Sequence, residues 1–165
     1  MLILGIDPGT QITGYGIIRI RKGVNEALDY GCIRPPSQLK ITDRYLIIYE
    51  GVEALLDQYQ PDVLVVETQY VKTNVQSAIK LGMARGVVMI AAKRRGVKIF
   101  EYAPSRAKRA VVGNGRASKA QVQHMVKNLL DLEILPEPED AADALALALC
   151  HAQACHFQTL WGEEI

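Results

Sequence analysis

The N-terminal run Leu2-Ile3-Leu4-Gly5-Ile6-Asp7-Pro8-Gly9-Thr10 constrains this chain more than any other stretch. An apolar run of this length, with no polar alternation, describes a strand buried on both faces in the middle of a sheet. Pro8 cannot donate to a ladder and Gly9 permits a turn, so Asp7 is expected to end the strand. A carboxylate there must be paired, protonated or bound to a cation. Taken alone, Asp7 suits turn chemistry and metal binding equally. The rest of the chain has to supply partners.

Val63-Leu64-Val65-Val66-Glu67 repeats the pattern: a buried strand that ends in a carboxylate. Between the two runs, residues 13–20 and 26–33 read as strands around a turn at Lys22-Gly23. Gly14 and Gly16 point to close backbone approach or to a bulge. Ile41, Tyr45, Ile48, Val52, Leu55, Leu56 and Tyr59 then recur at helical spacing over residues 39–59, and Pro61 stops that helix. A helical crossover allows the second strand to lie parallel to the first. Aligning Ile3, Gly5 and Asp7 with Val63, Val65 and Glu67 brings the two carboxylates to one sheet edge. Two acids placed so repel unless a cation lies between them, which raises a metal site above the turn reading.

Residues 73–95 read as a second long helix. Gly82 and Gly86 share one face, flanked by Ala78, Ile79, Met89 and Ile90, and that face packs either on the sheet or on a twin helix. Residues 97–102 form a last strand. Pro104 opens a short basic helix that Gly113-Asn114-Gly115 closes, and Ser118 with Gln121 makes a capping box for the next helix. An acidic, Pro-punctuated loop over residues 131–139 precedes an Ala-Leu helix that carries Asp140 and Asp143 three residues apart, on one face. Acids in a first turn favour the helix macrodipole. Asp143, however, stands in an Ala-Leu face with no basic residue nearby in sequence, which favours ligand duty.

Length and composition set the bounds. A chain of 165 residues is read as one domain over 1–165, with a flexible tail expected at about 157–165. No apolar stretch is expected to reach the length of a membrane span, and no signal peptide is apparent at the N-terminus. Cys32, Cys150 and Cys155 lack C-x-x-C spacing, which suits reduced thiols and a cytoplasmic place. The net charge of +1 conceals an asymmetry: residues 72–119 hold twelve bases against one acid, Glu101, a net of +11. So one-sided a block suits a polyanion such as nucleic acid.

Asp7, Glu67, Asp140 and Asp143 therefore stand as candidate catalytic carboxylates and metal ligands. Hard oxygen donors without a histidine or cysteine cage suit Mg²⁺, or Mn²⁺ in its place. Two ions roughly 3.5–4 Å apart would clamp an in-line phosphoryl displacement. Carboxylates for the metals beside bases for the phosphates describe a nuclease. His151 and Cys155 share a helical face, but no second pair completes a zinc site. Neither G-x-S-x-G nor a P-loop occurs.

The stretches GIDPGT with GYG, VVET followed by KTN, SAIKLGMARG, YAPSRAKRAVVGNGRASKAQVQHMV and DAADALALA occur in this order over nearly the whole chain. Together they resemble the RuvC Holliday-junction resolvases. The resemblance implies an α/β RNase H-like fold, with a mixed five-stranded sheet flanked by helices. It also implies a homodimer and Mg²⁺-dependent symmetric nicking of four-way DNA junctions, beside the branch-migration proteins RuvA and RuvB, in recombination and DNA repair. The family's four acids fall on Asp7, Glu67, Asp140 and Asp143, and its two important lysines on Lys108 and Lys119. Its junction-stacking aromatic, usually Phe, falls on Tyr70, which keeps a stacking face. Lys72 and Arg116 complete the expected DNA contacts, and Ala78, Gly82 and Gly86 the expected dimer face. Location is expected to be cytoplasmic and nucleoid-associated. The alternative reading is an RNase H-like nuclease acting on structured RNA.

Overall fold

The computed structural model describes residues 1–68, 75–157 and 163–164. Six strands, β1 (Leu2–Asp7), β2 (Thr13–Arg21), β3 (Val24–Ile33), β4 (Val63–Glu67), β5 (Lys98–Tyr102) and β6 (Glu163–Glu164), form one mixed sheet in the order β3-β2-β1-β4-β5-β6. The expected five strands are all present, and β6 adds a two-residue edge antiparallel to β5. Five helices complete the chain: α1 (Ile41–Tyr59), α2 (Val75–Arg94), α3 (Pro104–Val112), α4 (Lys119–Leu129) and α5 (Glu139–Phe157).

β1 lies mid-sheet, antiparallel to β2 and parallel to β4, with Ile3 opposite Val63 and Gly5 opposite Val65. This is the expected register. Strand side chains alternate between faces. Leu4, Ile6, Leu64 and Val66 join Ile48, Val52, Val88 and Ala91 in a core under α1 and α2. Ile3, Val63 and Val65 join Val122, Val126, Leu145 and Leu149 in a second core under α3, α4 and α5. Asp7 and Glu67 are in phase with Ile3 and Val63, and so belong to the α5 face.

Glycines on that face let α5 lie close. A Cβ on Gly5 would stand 2.1 Å from the Ala144 carbonyl oxygen, and one on Gly14 would stand 2.0 Å from that of Asp140. Gly14 and Gly16 thus serve close approach, while the β2–β3 irregularity falls elsewhere, between Ile17 and Ile18. On α5, Ala141, Ala144 and Ala148 are fully buried. Small residues on both partners form this seam.

Local signals set the ends. Lys22 and Gly23 turn the β2–β3 hairpin with positive φ of 51° and 80°. Gly113, at φ 79°, closes α3, and the Ser118–Gln121 capping box opens α4. One expectation needs correction. By length and composition alone α2 is apolar enough to cross a membrane, where the sequence reading expects no such stretch. Its Val, Ile, Leu, Met and Ala content makes it apolar, while Ala84, Val88, Ala91 and Ala92 are buried in the core and Arg85 pairs with Glu101 on β5.

Candidate active site

The turn after β1 is tied from both sides. The Thr13 hydroxyl donates to the Gly9 carbonyl at 2.8 Å and accepts from the Gly9 N–H at 3.3 Å. From α1, the Arg44 guanidinium donates to the Thr10 carbonyl. Glu67, at the end of β4, is held in the sheet by β5, and the following N–H, of Thr68, donates to the Tyr102 carbonyl at 2.9 Å. α5 delivers Asp140 and Asp143 from its first two turns, over the seam at Gly14.

Electrostatics show that these acids share one site. Burial pushes the Asp7 carboxyl up to about 8, and Glu67, Asp143 and Asp140 push it the same way. Burial, then Asp143, raises Glu67 to about 7, against the pull of Lys108 and Lys119. Asp143 is raised as well, by burial, with Lys119 and Lys108 opposing. Removing a carboxylate from water and setting others beside it both disfavour its charged form. Positive charge is what such a cluster calls for.

Lys119 supplies part of that charge. Its Nζ lies 3.4 Å from Glu139 Oε2 and 3.6 Å from Asp143 Oδ2. Burial pulls the Lys119 ammonium down, yet the attraction of Asp143, Glu139 and Asp140 outweighs it and the net direction is up. Asp143, which has no base near it in sequence, therefore gains one from α4. Lys108 donates from α3 to the Ala117 carbonyl at 3.1 Å, fixing the loop that leads into Lys119. Arg116 is exposed in that loop, where the Asn114 side chain accepts its backbone N–H at 3.0 Å. Tyr70 and Lys72 lie outside the described residues.

Among the described residues, no three His, Cys, Asp or Glu side chains already form a metal-holding group. The donor chemistry nevertheless fits a hard divalent ion. Mg²⁺ is usually held by one or two carboxylates, with waters and substrate phosphates completing its shell, so it needs no closed protein cage. Sequence reasoning missed Arg44, Glu139 and Cys32, the last of which lies within the electrostatic reach of Asp140 and Asp7. Glu139 alone carried a signal, as an acid in the first turn of the Asp140 helix.

His151, the histidine of the candidate pair with Cys155, has a structural place. His151 is fully buried; its Nδ1 lies 2.8 Å from the Tyr102 hydroxyl, and its ring lies 4.6 Å from that of Phe100. On α2, a Cβ at Gly82 or Gly86 would meet nothing within 4 Å among the described residues, so this face does not pack on the described sheet. Ala78 is partly exposed beside them, and Ile79, Met83 and Ile90 are more than half exposed.

Comparison with known proteins agrees with this geometry. The family described as Crossover junction endodeoxyribonuclease RuvC matches residues 3–151. The Protochlamydia amoebophila protein of that name is 69% identical over 153 residues, covering 93% of this chain and 91% of its own. The Ruminiclostridium cellulolyticum protein is 43% identical over 164 residues, covering 99% of each. Among solved structures, T. thermophilus RuvC in complex with Holliday junction substrate superposes with a TM-score of 0.91 at 32% identity, over 99% of both chains. This chain belongs to the RuvC family of crossover junction endodeoxyribonucleases.

Proposed function

We propose that this protein resolves four-way DNA junctions by metal-dependent phosphodiester hydrolysis, with Mg²⁺ at Asp7, Glu67, Asp140 and Asp143. The observation that carries the reading is the electrostatic coupling of these acids at one edge of the sheet, beside Lys108 and Lys119. A pair of divalent ions there would activate water and stabilise the leaving oxygen. The chain's own residues prepare the rest. Asp7 and Glu67 provide carboxylates whose charge is costly until a cation arrives. Lys119 is poised beside Asp143 for a phosphate, and Lys108 keeps the Ala117 loop in place. The basic 72–119 segment, with Tyr70, Lys72 and Arg116, attracts and orients the junction arms.

A homodimer through α2 is part of this reading, since two active sites related by a two-fold axis would make paired nicks. Exposed Ile79, Met83 and Ile90 around the open Gly82 and Gly86 support it. RuvA and RuvB are the proposed branch-migration partners, and the nucleoid-bearing cytoplasm the proposed location. The test uses an end-labelled junction with a mobile centre, beside linear duplex and structured RNA. Paired nicks that require Mg²⁺ and vanish in Asp7→Asn support the reading. Binding without nicking in either Mg²⁺ or Mn²⁺, across several junction sequences, overturns it, and preferential cleavage of RNA transfers the activity to that substrate.

A further inference from the structure

β3 stands at the sheet edge opposite β6. It pairs with β2 on one side, and no described residue pairs with the other. This edge, ten residues long, offers backbone donors and acceptors to a further strand on either side of the irregularity opposite Ile17 and Ile18, where Asp29 Oδ1 already accepts the Tyr30 N–H at 2.8 Å. Here a groove follows it. A trough of about 610 Å³ lies between the start of β3 and residues 130–133, and a second of about 440 Å³ lies between Tyr30, Lys127 and residues 133–137. Glu133 lines both.

The chemistry of the groove selects its occupant. Its outer wall is the loop between α4 and α5, which contributes Asp131, Glu133 and Glu137; with Glu26 these four acids outnumber the two bases of the lining, Arg21 and Lys127. At its ends Val24 is 66% exposed and Ile134 70% exposed. An acidic wall repels a phosphate backbone, and α2, which packs on α1 and β5, is far across the sheet. We propose that the β3 groove docks an extended, basic segment of a partner protein as an added strand. Alternate residues of that segment would set lysine or arginine against Asp131, Glu133 and Glu137, with their aliphatic stems over Ile134, and the side chains between them would face the other side of the sheet. This is β-strand addition: main-chain hydrogen bonds supply affinity and alternating side chains supply selectivity.

The probe is a labelled peptide alternating lysine with valine, followed by fluorescence anisotropy on the full chain. Controls are a glutamate–valine peptide and a lysine–valine peptide N-methylated at alternate amides. The basic peptide is expected to bind and to slow hydrogen exchange in β3, and both controls to fail. The doubly substituted Glu133→Lys, Ile134→Lys protein is expected to bind at least about tenfold more weakly, with junction cleavage unchanged. Three results overturn the proposal: no binding by the basic peptide, binding indifferent to those substitutions, or equal binding by the N-methylated peptide. A change in sedimentation with the same substitutions would assign the groove to a second copy of this chain. Weakened junction binding would assign it to DNA. Junction cleavage is measured separately, so failure of the docking proposal is distinct from failure of the nuclease reading.

Discussion

Replacing Asp7 by Asn should stabilise the metal-free protein while abolishing cleavage. The Asp7 carboxyl rises from 3.8 to about 8, chiefly through burial and then through Glu67, Asp143 and Asp140. An acid with a raised folded pKa favours the fold most at low pH, and that contribution is lost as pH climbs from about 4 towards 8. Near pH 7 the ceiling is about 4 kcal/mol, the cost of keeping neutral in the fold a group that ionises freely in the unfolded chain. Water entering the site reduces this to roughly 2 kcal/mol for an Asn that cannot ionise. For a chain of this size, that corresponds to a melting temperature about 4–8 °C higher. The assay is thermal unfolding in EDTA from about pH 4 to pH 9, with the advantage of Asp7→Asn largest above about pH 8 and near zero at about pH 4. Adding Mg²⁺ should raise the wild-type melting temperature more than that of the variant, because a ligand stabilises the state that binds it. An Asp7→Asn protein no more stable than wild type in EDTA near pH 8 would refute the reasoning.

Four further outcomes follow from the geometry. Gly14→Ala should destabilise the protein by about 1–3 kcal/mol and lower cleavage, since the new Cβ collides with the Asp140 carbonyl and displaces the start of α5; chemical denaturation and junction cleavage measure the two effects. Lys119→Met removes a charge that holds Glu67 and Asp143 down, so the acidic limb of the cleavage–pH profile should move to higher pH, by about one unit. His151 is held down to about 4 by burial, so its contribution is intact above about 6.5 and lost as pH falls towards 4; His151→Gln should flatten that acid loss, worth about 2 kcal/mol near pH 5. Ile79→Asp on the exposed face of α2 should yield monomers in sedimentation without lowering the melting temperature of the protomer.

The parts of the site legible in the sequence are those set by short-range periodicity. Asp7 and Glu67 could be placed side by side because β1 and β4 are apolar runs of matched length with a side-chain period of two. The Ser118–Gln121 box and Gly113 marked the helix ends that the structure shows, because capping is a local hydrogen-bond problem. Val24 and Asn25 were not legible as strand, since Asn disfavours strands on its own and gains the conformation by pairing with Arg21 and Ile20. Gly14 announced a close approach without naming its neighbour, which arrives on α5 from the far end of the sequence. The same distance hid the Lys119–Asp143 contact, the Arg44 tie to Thr10 and the burial of His151 against Tyr102. Lys108 was legible as a base and not as the donor to Ala117, because a charge in sequence carries no direction.

The seam and the site are one device. Glycines on β1 and β2 and alanines on α5 give up side-chain packing, and the closeness they gain sets Asp140 and Asp143 beside Asp7 and Glu67. Burial at the seam, with the mutual repulsion of the acids, raises Asp7, Glu67 and Asp143, so the arrangement that would suit the proposed divalent ions also works against the metal-free fold. Lys119 relieves part of the repulsion and Lys108 holds the loop that presents it. A resolvase built this way must draw stability from its two apolar cores and surrender some of it at the active edge. Substitutions that neutralise the acids should therefore gain stability as they lose activity, and substitutions that widen the seam should lose both.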